Sequence, residues 1–273
     1  VSLAQAPDGR PDQPPPVSIQ LYSLREASQR DFPAVIHTVA SMGYAGVELA
    51  GLHGMKPREV RRLVEDTGMR ISSSHFPWAT PDNLVEIIEV SGDLGTPFMA
   101  CGFPAESFAS REAVSRTAET INLMEERLRS AGVTLFLHNH WWEFETIDGR
   151  MKYDILLELA PQVSLEIDTY WAARFGAVDP AVVVRKFASR APLLHIKDGP
   201  LAKGRPHVAV GAGKMDVPAV IGAADPTVLA WLVVELDSCE SDMERAVRES
   251  CEYLVGHGLA SGRAAAPRQP PGA

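Results

Sequence analysis

Four apolar runs in the second half of the sequence each end in a side chain that can bind a divalent cation or carry a proton. They are VTLFLH at His138, VSLEID at Asp168, LLHIKD at His195 and WLVVELD at Glu235. Two imidazoles and two carboxylates converging from neighbouring strand ends form a ligand set for Mn²⁺, Zn²⁺, Mg²⁺ or Co²⁺. A single histidine after an apolar run is more often a packed rim residue than a ligand. Four consecutive runs ending this way are not explained by packing, because carboxylates are almost never buried without a partner. The first run continues as LFLHNHWWEF, which adds His140 and Glu143. Alternate residues of an extended chain share a face, so His138 and His140 point together, towards a metal or a proton. An imidazole close to neutral pKa can act as base and then as acid.

Other side chains at the ends of apolar runs could shape a pocket. Glu48 in GVEL and His75 in MRISSSH could hydrogen-bond hydroxyls, or lie solvated in loops. Lys197 follows His195 by two and shares its face, where it could stabilise an enolate or bind a carboxylate or phosphate. Asp198 points the other way and orients a neighbour. Trp141, Trp142 and Trp171 could stack on the apolar face of a pyranose or fill core. The segment VGAGKMD, with Gly211, Gly213 and Lys214, invites comparison with a phosphate cradle but lacks the G-x-x-x-x-G-K-[ST] pattern.

The elements that must position these residues repeat eight times: a short apolar run, a loop, then an amphipathic stretch with helix signals. The earlier runs are VSIQLY ending at Tyr22, GVEL around Glu48, MRISSSH ending at His75 and PFMAC ending at Cys101. Successive landmarks from Tyr22 to Glu235 lie 26, 27, 26, 37, 30, 27 and 40 residues apart. A (β/α)8 TIM barrel spends about 30 residues per unit, so the spacing predicts one closed barrel in a single α/β domain. No G-x-G-x-x-G follows the first run, which argues against a doubly wound sheet. Helix starts are expected at Asp31, at Thr80-Pro81 and at Asp179-Pro180, with Gly43 stopping the first helix.

Composition bounds the rest. A chain of 273 residues, 45% hydrophobic and 22% charged, can bury a full core. A net charge of −9 argues against a general nucleic-acid binder, which needs a basic surface. No apolar stretch approaches the roughly 18 residues of a spanning helix, so no membrane partner is expected. Cys101, Cys239 and Cys251 form no C-x-x-C and indicate neither a disulfide framework nor a cysteine zinc site. Residues 1–16 read as a Pro-rich segment in which Ala4-Gln5-Ala6 resembles the end of a secretory signal, leaving an exported and a cytoplasmic origin both open. Residues 17–258 are expected to form the barrel and 259–273 a disordered tail.

The motifs VSIQLYSLRE, GYAGVELAG, GVTLFLHNHWWEFE, LEIDTYW, LLHIKDG, VGAGKMDV and VVELD together resemble the sugar phosphate isomerase/epimerase family of xylose-isomerase-like barrels, over about residues 17–257. The resemblance implies one divalent ion held by Glu, Asp, His and Glu from strands five to eight. Asp168, His195 and Glu235 match the last three; the usual first glutamate falls on His138, as in an H-N-H branch whose fourth ligand is His138, His140 or Glu143, with His138 favoured. It implies a sugar isomerase or epimerase that removes a proton beside a carbonyl and stabilises the enediolate on the metal. With histidine in the first position, proton transfer falls to His140, Glu143 and Glu235. The same replacement suits a lyase or hydratase acting on a 3-keto sugar or glycoside, or on a cyclitol. Related apurinic endonucleases carry an extra histidine three residues after the strand-six aspartate, where this chain has Trp171. A small-molecule sugar substrate is thus expected, with Glu48, His75, Trp171 and Lys197 around it, and pairing into a homodimer as in many barrels of this kind.

Overall fold

The computed structural model describes residues 13–263. Eight parallel strands close into a barrel in sequential order. They are β1 (Val17–Gln20), β2 (Gly46–Leu49), β3 (Arg70–Ser74), β4 (Phe98–Cys101), β5 (Thr134–His138), β6 (Ser164–Asp168), β7 (Leu193–Ile196) and β8 (Trp231–Val234). Helices α1 (Arg25–Ser41), α2 (Pro57–Glu65), α3 (Leu84–Leu94), α4 (Arg111–Ser130), α5 (Lys152–Leu159), α6 (Pro180–Phe187), α7 (Val217–Gly222) and α8 (Met243–Gly256) return the chain between strands and after the last. The expected runs are strands, but β1, β3, β7 and β8 stop short of Tyr22, His75, Asp198 and Asp237, because the last residues of each run turn into the rim.

Local signals explain most boundaries. Asp179 accepts the N–H of Ala181 at 2.9 Å with Pro180 in the first turn, as expected. Asp31 also caps, accepting from Ala34 at 3.0 Å, but it does so at a kink inside α1, whose first turns begin at Arg25. Thr80 does not start α3; Asn83 does, and its side chain accepts from the N–H and hydroxyl of Thr80 instead of capping its own helix.

The tail expected to be disordered from 259 is packed as far as the described residues reach. Ser261 donates to Pro15 O and accepts from Val17 N–H, and the Arg263 guanidinium holds Thr67 O and Ala40 O. The signal-like Ala4-Gln5-Ala6 lies outside the described residues. Among the described residues no helix is long and apolar enough to cross a membrane.

The two-residue period of each strand sends alternate side chains into the barrel, and they stack in layers. Phe98, Phe136, Leu193, Trp231 and Val233 form an apolar plug. Above Phe136 the next inward residue is His138; above Leu193 come His195 and Lys197; above Val233 comes Glu235. A separate, larger core fills the space between barrel and helices. The plug leaves no slack beside β2: a Cβ on Gly46 would sit 2.8 Å from Arg70 O and 2.9 Å from the Trp231 ring. Gly46→Ala is therefore expected to destabilise the fold by about 1–3 kcal/mol, read as a lower denaturant midpoint at unchanged m-value. An unchanged midpoint would show that both the Trp231 ring and the Arg70 carbonyl can shift.

Candidate active site

The ends of β5, β6 and β7 and the first residue after β8 bring four ligand atoms together. His138 Nε2 lies 3.2 Å from His195 Nδ1 and 3.6 Å from Asp168 Oδ2. His195 Nδ1 lies 3.0 Å from Glu235 Oε2 and 3.8 Å from Asp168 Oδ2. All four atoms fall within 4.8 Å of one another, on buried residues. Four donors about 2.1 Å from one tetrahedral ion stand about 3.4 Å apart, so this spacing fits a first-row divalent metal. The register supports it, since Asp168 pairs directly with His195 across β6 and β7.

Charge points the same way. Lys197 Nζ, with no exposure, lies 2.8 Å from Asp168 Oδ2, 2.7 Å from Glu235 Oε2 and 2.7 Å from Asp237 Oδ2. Burial alone would raise the Asp168 and Glu235 carboxyls, but the Lys197 ammonium and the nearby imidazoles hold both well below the usual carboxylate range. Burial would lower Lys197, and the three carboxylates hold it well above its ordinary value. Burial would lower His195 as well, but Glu166, Glu48 and Glu235 hold its imidazole well above its ordinary value, so the carboxylates here draw positive charge onto both Lys197 and His195. Asp168 Oδ1 accepts the Trp171 N–H at 2.9 Å, while Oδ2 has only the poorly aligned approach of Lys197. That oxygen is the one turned towards His138 and His195. The residues present therefore fit a divalent ion.

Beneath the cup lies a second polar layer. His195 Nε2 is 2.7 Å from Glu48 Oε1 and 3.1 Å from Glu166 Oε2; His75 Nε2 is 2.7 Å from Glu166 Oε2 and 3.2 Å from Glu48 Oε1. Gln20 donates to Glu48 Oε1 at 2.7 Å and Ser73 to its Oε2 at 2.5 Å. Nitrogens and carboxylate oxygens alternate, as in a hydrogen-bonded ring, although four such groups could also hold a cation. Burial and the Glu166 carboxylate raise Glu48 above the usual range; burial also pushes Glu166 up, but His195 and His75 hold it below. Glu48 and Glu166 engage His195 Nε2, which leaves Nδ1 for the cup, the orienting arrangement common behind metal-bound histidines.

The expected rim residues divide accordingly. Glu48 is buried in this lower layer with both carboxylate oxygens engaged by protein and presents no free group to a sugar, whereas His75 commits Nε2 to the carboxylates and has no protein partner on Nδ1 among the described residues. Glu166 was legible: it stands two before Asp168 and so shares its face. Lys197 reaches the cup but is committed to carboxylates. Trp171 stands half-buried at the mouth, its ring 5.2 Å from Lys197 Nζ and 6.3 Å from Phe175. Trp141 lies 5.6 Å from Phe175, with Lys203 Nζ 4.6 Å above its ring. Asp237, partly exposed and tied to Lys197, is a rim carboxylate that the sequence pattern did not single out.

The three residues of the H-N-H stretch do separate work. His138 faces the cup. Asn139 turns aside and clamps the backbone of Asp168, donating to its carbonyl and accepting its N–H, each at 3.1 Å. His140 stacks on Trp142 with ring centroids 4.3 Å apart and meets His138 edge-on at 5.1 Å. Burial, then the neighbouring His138, lowers its pKa to about 3, so it is a neutral imidazole near pH 7. Glu143 is buried beneath this loop, where Oε2 accepts the His140 N–H at 3.1 Å and burial pushes its carboxyl up to about 8. It supports the backbone of His140 and has no exposed face of its own.

The glycine-rich loop is not a phosphate cradle. The buried Asp198 carboxylate accepts the N–H groups of Gly199, Gly211, Gly213 and Met215 at 2.7–3.0 Å. A Cβ on Gly213 would sit 2.1 Å from Asp198 Oδ1, so the glycine lets the loop close around an anion the chain supplies itself. This fulfils the orienting role expected of Asp198.

The sequence matches the xylose isomerase-like TIM barrel family over residues 36–256. Among solved structures, a sugar phosphate isomerase/epimerase from Parabacteroides distasonis superposes with a TM-score of 0.74 at 23% identity, covering 95% of this chain and 97% of that one. An L-ribulose 3-epimerase gives 0.66 at 18% identity, covering 90% and 94%. The probable 3-DHS dehydratase of petrobactin synthesis from Bacillus anthracis gives 0.68 at 12% identity, covering 88% and 98%. No curated protein is significantly similar in sequence. With the match running from within α1 to the end of α8 around a closed barrel, the chain belongs to the xylose isomerase-like TIM barrel family.

Proposed function

We propose that the protein is a divalent-metal-dependent sugar isomerase or epimerase, with His138, Asp168, His195 and Glu235 as the ligands. The observation that carries this reading is the convergence of those four donor atoms in a buried, carboxylate-rich cup. Bound there, Mn²⁺, Zn²⁺, Mg²⁺ or Co²⁺ would act as a Lewis acid on a carbonyl oxygen and make the neighbouring C–H acidic. Lys197 keeps Asp168 and Glu235 ionised. His140, neutral and with its buried Nδ1 unpartnered, is the nearest further imidazole, but with its pKa lowered to about 3 it is a weak base, and Glu143 fixes it through its N–H. Glu235, ionised at the edge of the cup, is the carboxylate candidate for taking a proton.

A second reading is a lyase or hydratase acting on a 3-keto sugar, a glycoside or a cyclitol. It is favoured by His138 itself. An imidazole in place of the usual first glutamate leaves Glu235 as the only one of the usual glutamate pair on the cup, so the symmetrical exchange between two carboxylates is not available. Epimerase and dehydratase neighbours on this fold are compatible with either reading.

Incubating the protein with candidate keto sugars in deuterated water separates these chemistries. Deuterium entry beside the carbonyl with the carbon skeleton and oxygens retained supports isomerisation or epimerisation; loss of an oxygen substituent supports the lyase. Exchange that survives Asp168→Ala and Glu235→Ala contradicts a metal-assisted proton transfer. Glu48→Gln, which keeps the shape but weakens the grip on His195 Nε2, is expected to lower metal affinity about 10–100-fold, measured by competition with a chelating dye. Unchanged affinity would remove Glu48 from the orienting role.

A further inference from the structure

Among the described residues three aromatic side chains are exposed, Tyr22, Phe76 and Trp78, and all three follow β1 or β3 on the rim that carries the cup. Trp78 is 39% exposed yet firmly mounted. Ala79 donates to Ala100 O and Asn83 to Trp78 O, each at 2.9 Å, so the peptide that follows Trp78 is held at both its N–H and its carbonyl. The indole also rests on Gly102, where a Cβ would come within 2.7 Å of its ring. The ring stands 6.3 Å from the His138 ring of the cup and 4.8 Å from the His75 ring of the layer beneath it. A fixed, uncovered indole beside a cluster of carboxylates and imidazoles suits a ligand with one apolar flat face and a hydroxyl edge.

We infer that Trp78 is a stacking platform for the C–H face of a cyclic sugar, so that the substrate reaches the cup with its ring closed. This rests on the sugar reading above and narrows it. An open-chain aldose or ketose has no fixed flat face to lay on an indole, whereas a pyranose or a cyclitol does. A closed ring excludes a carbonyl at the anomeric carbon and places the reacting ketone on a ring carbon. Gly102 is the positioning residue that leaves the indole its place.

Saturation-transfer NMR with methyl β-D-glucopyranoside, myo-inositol and D-sorbitol as probes tests this on the full chain. Saturation of the ring C–H protons of the first two, little of sorbitol, and at least a tenfold weaker effect in Trp78→Ala are expected, with Trp78→Phe retaining most of it and circular dichroism unchanged. Gly102→Val, which displaces the indole without removing it, should weaken the effect as well. Sorbitol saturated as strongly as the pyranoside, or Trp78→Ala behaving as the parent, overturns the inference. So does a dimer in sedimentation whose formation shields Trp78 from iodide quenching. Repeating the measurement after chelation keeps the two readings apart: ring binding that survives chelation supports the platform even if the metal chemistry fails, and a metal-loaded protein whose Trp78 is silent loses the platform alone.

Discussion

A lysine ammonium with no contact with water, held by three carboxylates, is the constraint on which the upper half of the barrel depends. Burying Lys197 without partners would neutralise it, and burying Asp168 and Glu235 without it would protonate them. Each group keeps its charge only because β6, β7 and β8 end at the same level. The carboxylates outnumber the ammonium, so the arrangement that satisfies Lys197 also favours positive charge on His195 or on an ion beside it. The imidazoles of His138 and His195 face that same space with nitrogens 3.2 Å apart, within reach of a shared proton or a shared ligand.

Layering makes this affordable. The barrel places an apolar plug around Trp231, then Glu48, Glu166, His75 and His195, then the cup, each layer spaced by the strand period. The middle layer joins the other two: His195 turns one nitrogen down to the carboxylates of Glu48 and Glu166 and the other up to the ligands. Rigidity of the plug is transmitted to the orientation of a single imidazole. At the rim, loops hold themselves with their own anions, Asp198 gathering four N–H groups and Glu143 accepting from His140.

Much of this was legible because it follows from period and count. Eight apolar runs at near-regular spacing dictate a closed barrel, and four of them ending in His138, Asp168, His195 and Glu235 dictate a cluster, since strand ends share one rim. What was not legible depends on depth and on competition between side chains. Nothing in GVEL distinguishes a rim Glu48 from one beneath the cup; only the shift in register between β2 and β3 and the reach of Gln20 and Ser73 settle it. Asn139 reads as a spacer between two histidines, yet its amide replaces a missing rung between β5 and β6. Thr80-Pro81 carries a good cap signature, but the Asn83 side chain is drawn back to Thr80 and the helix waits for Leu84. The Pro- and Ala-rich end gave no hint that Arg263 would bind two carbonyls.

Metal content measured by plasma mass spectrometry, on the purified protein after reconstitution and on Asp168→Ala and His138→Ala beside it, bears most directly on the cup. About one divalent ion per chain, lost in both variants while the fold is retained, is the result this structure requires. A protein that takes up no ion, or whose ion survives both substitutions, would mean that Lys197 and His195 balance the carboxylates and that the four converging donors serve the fold.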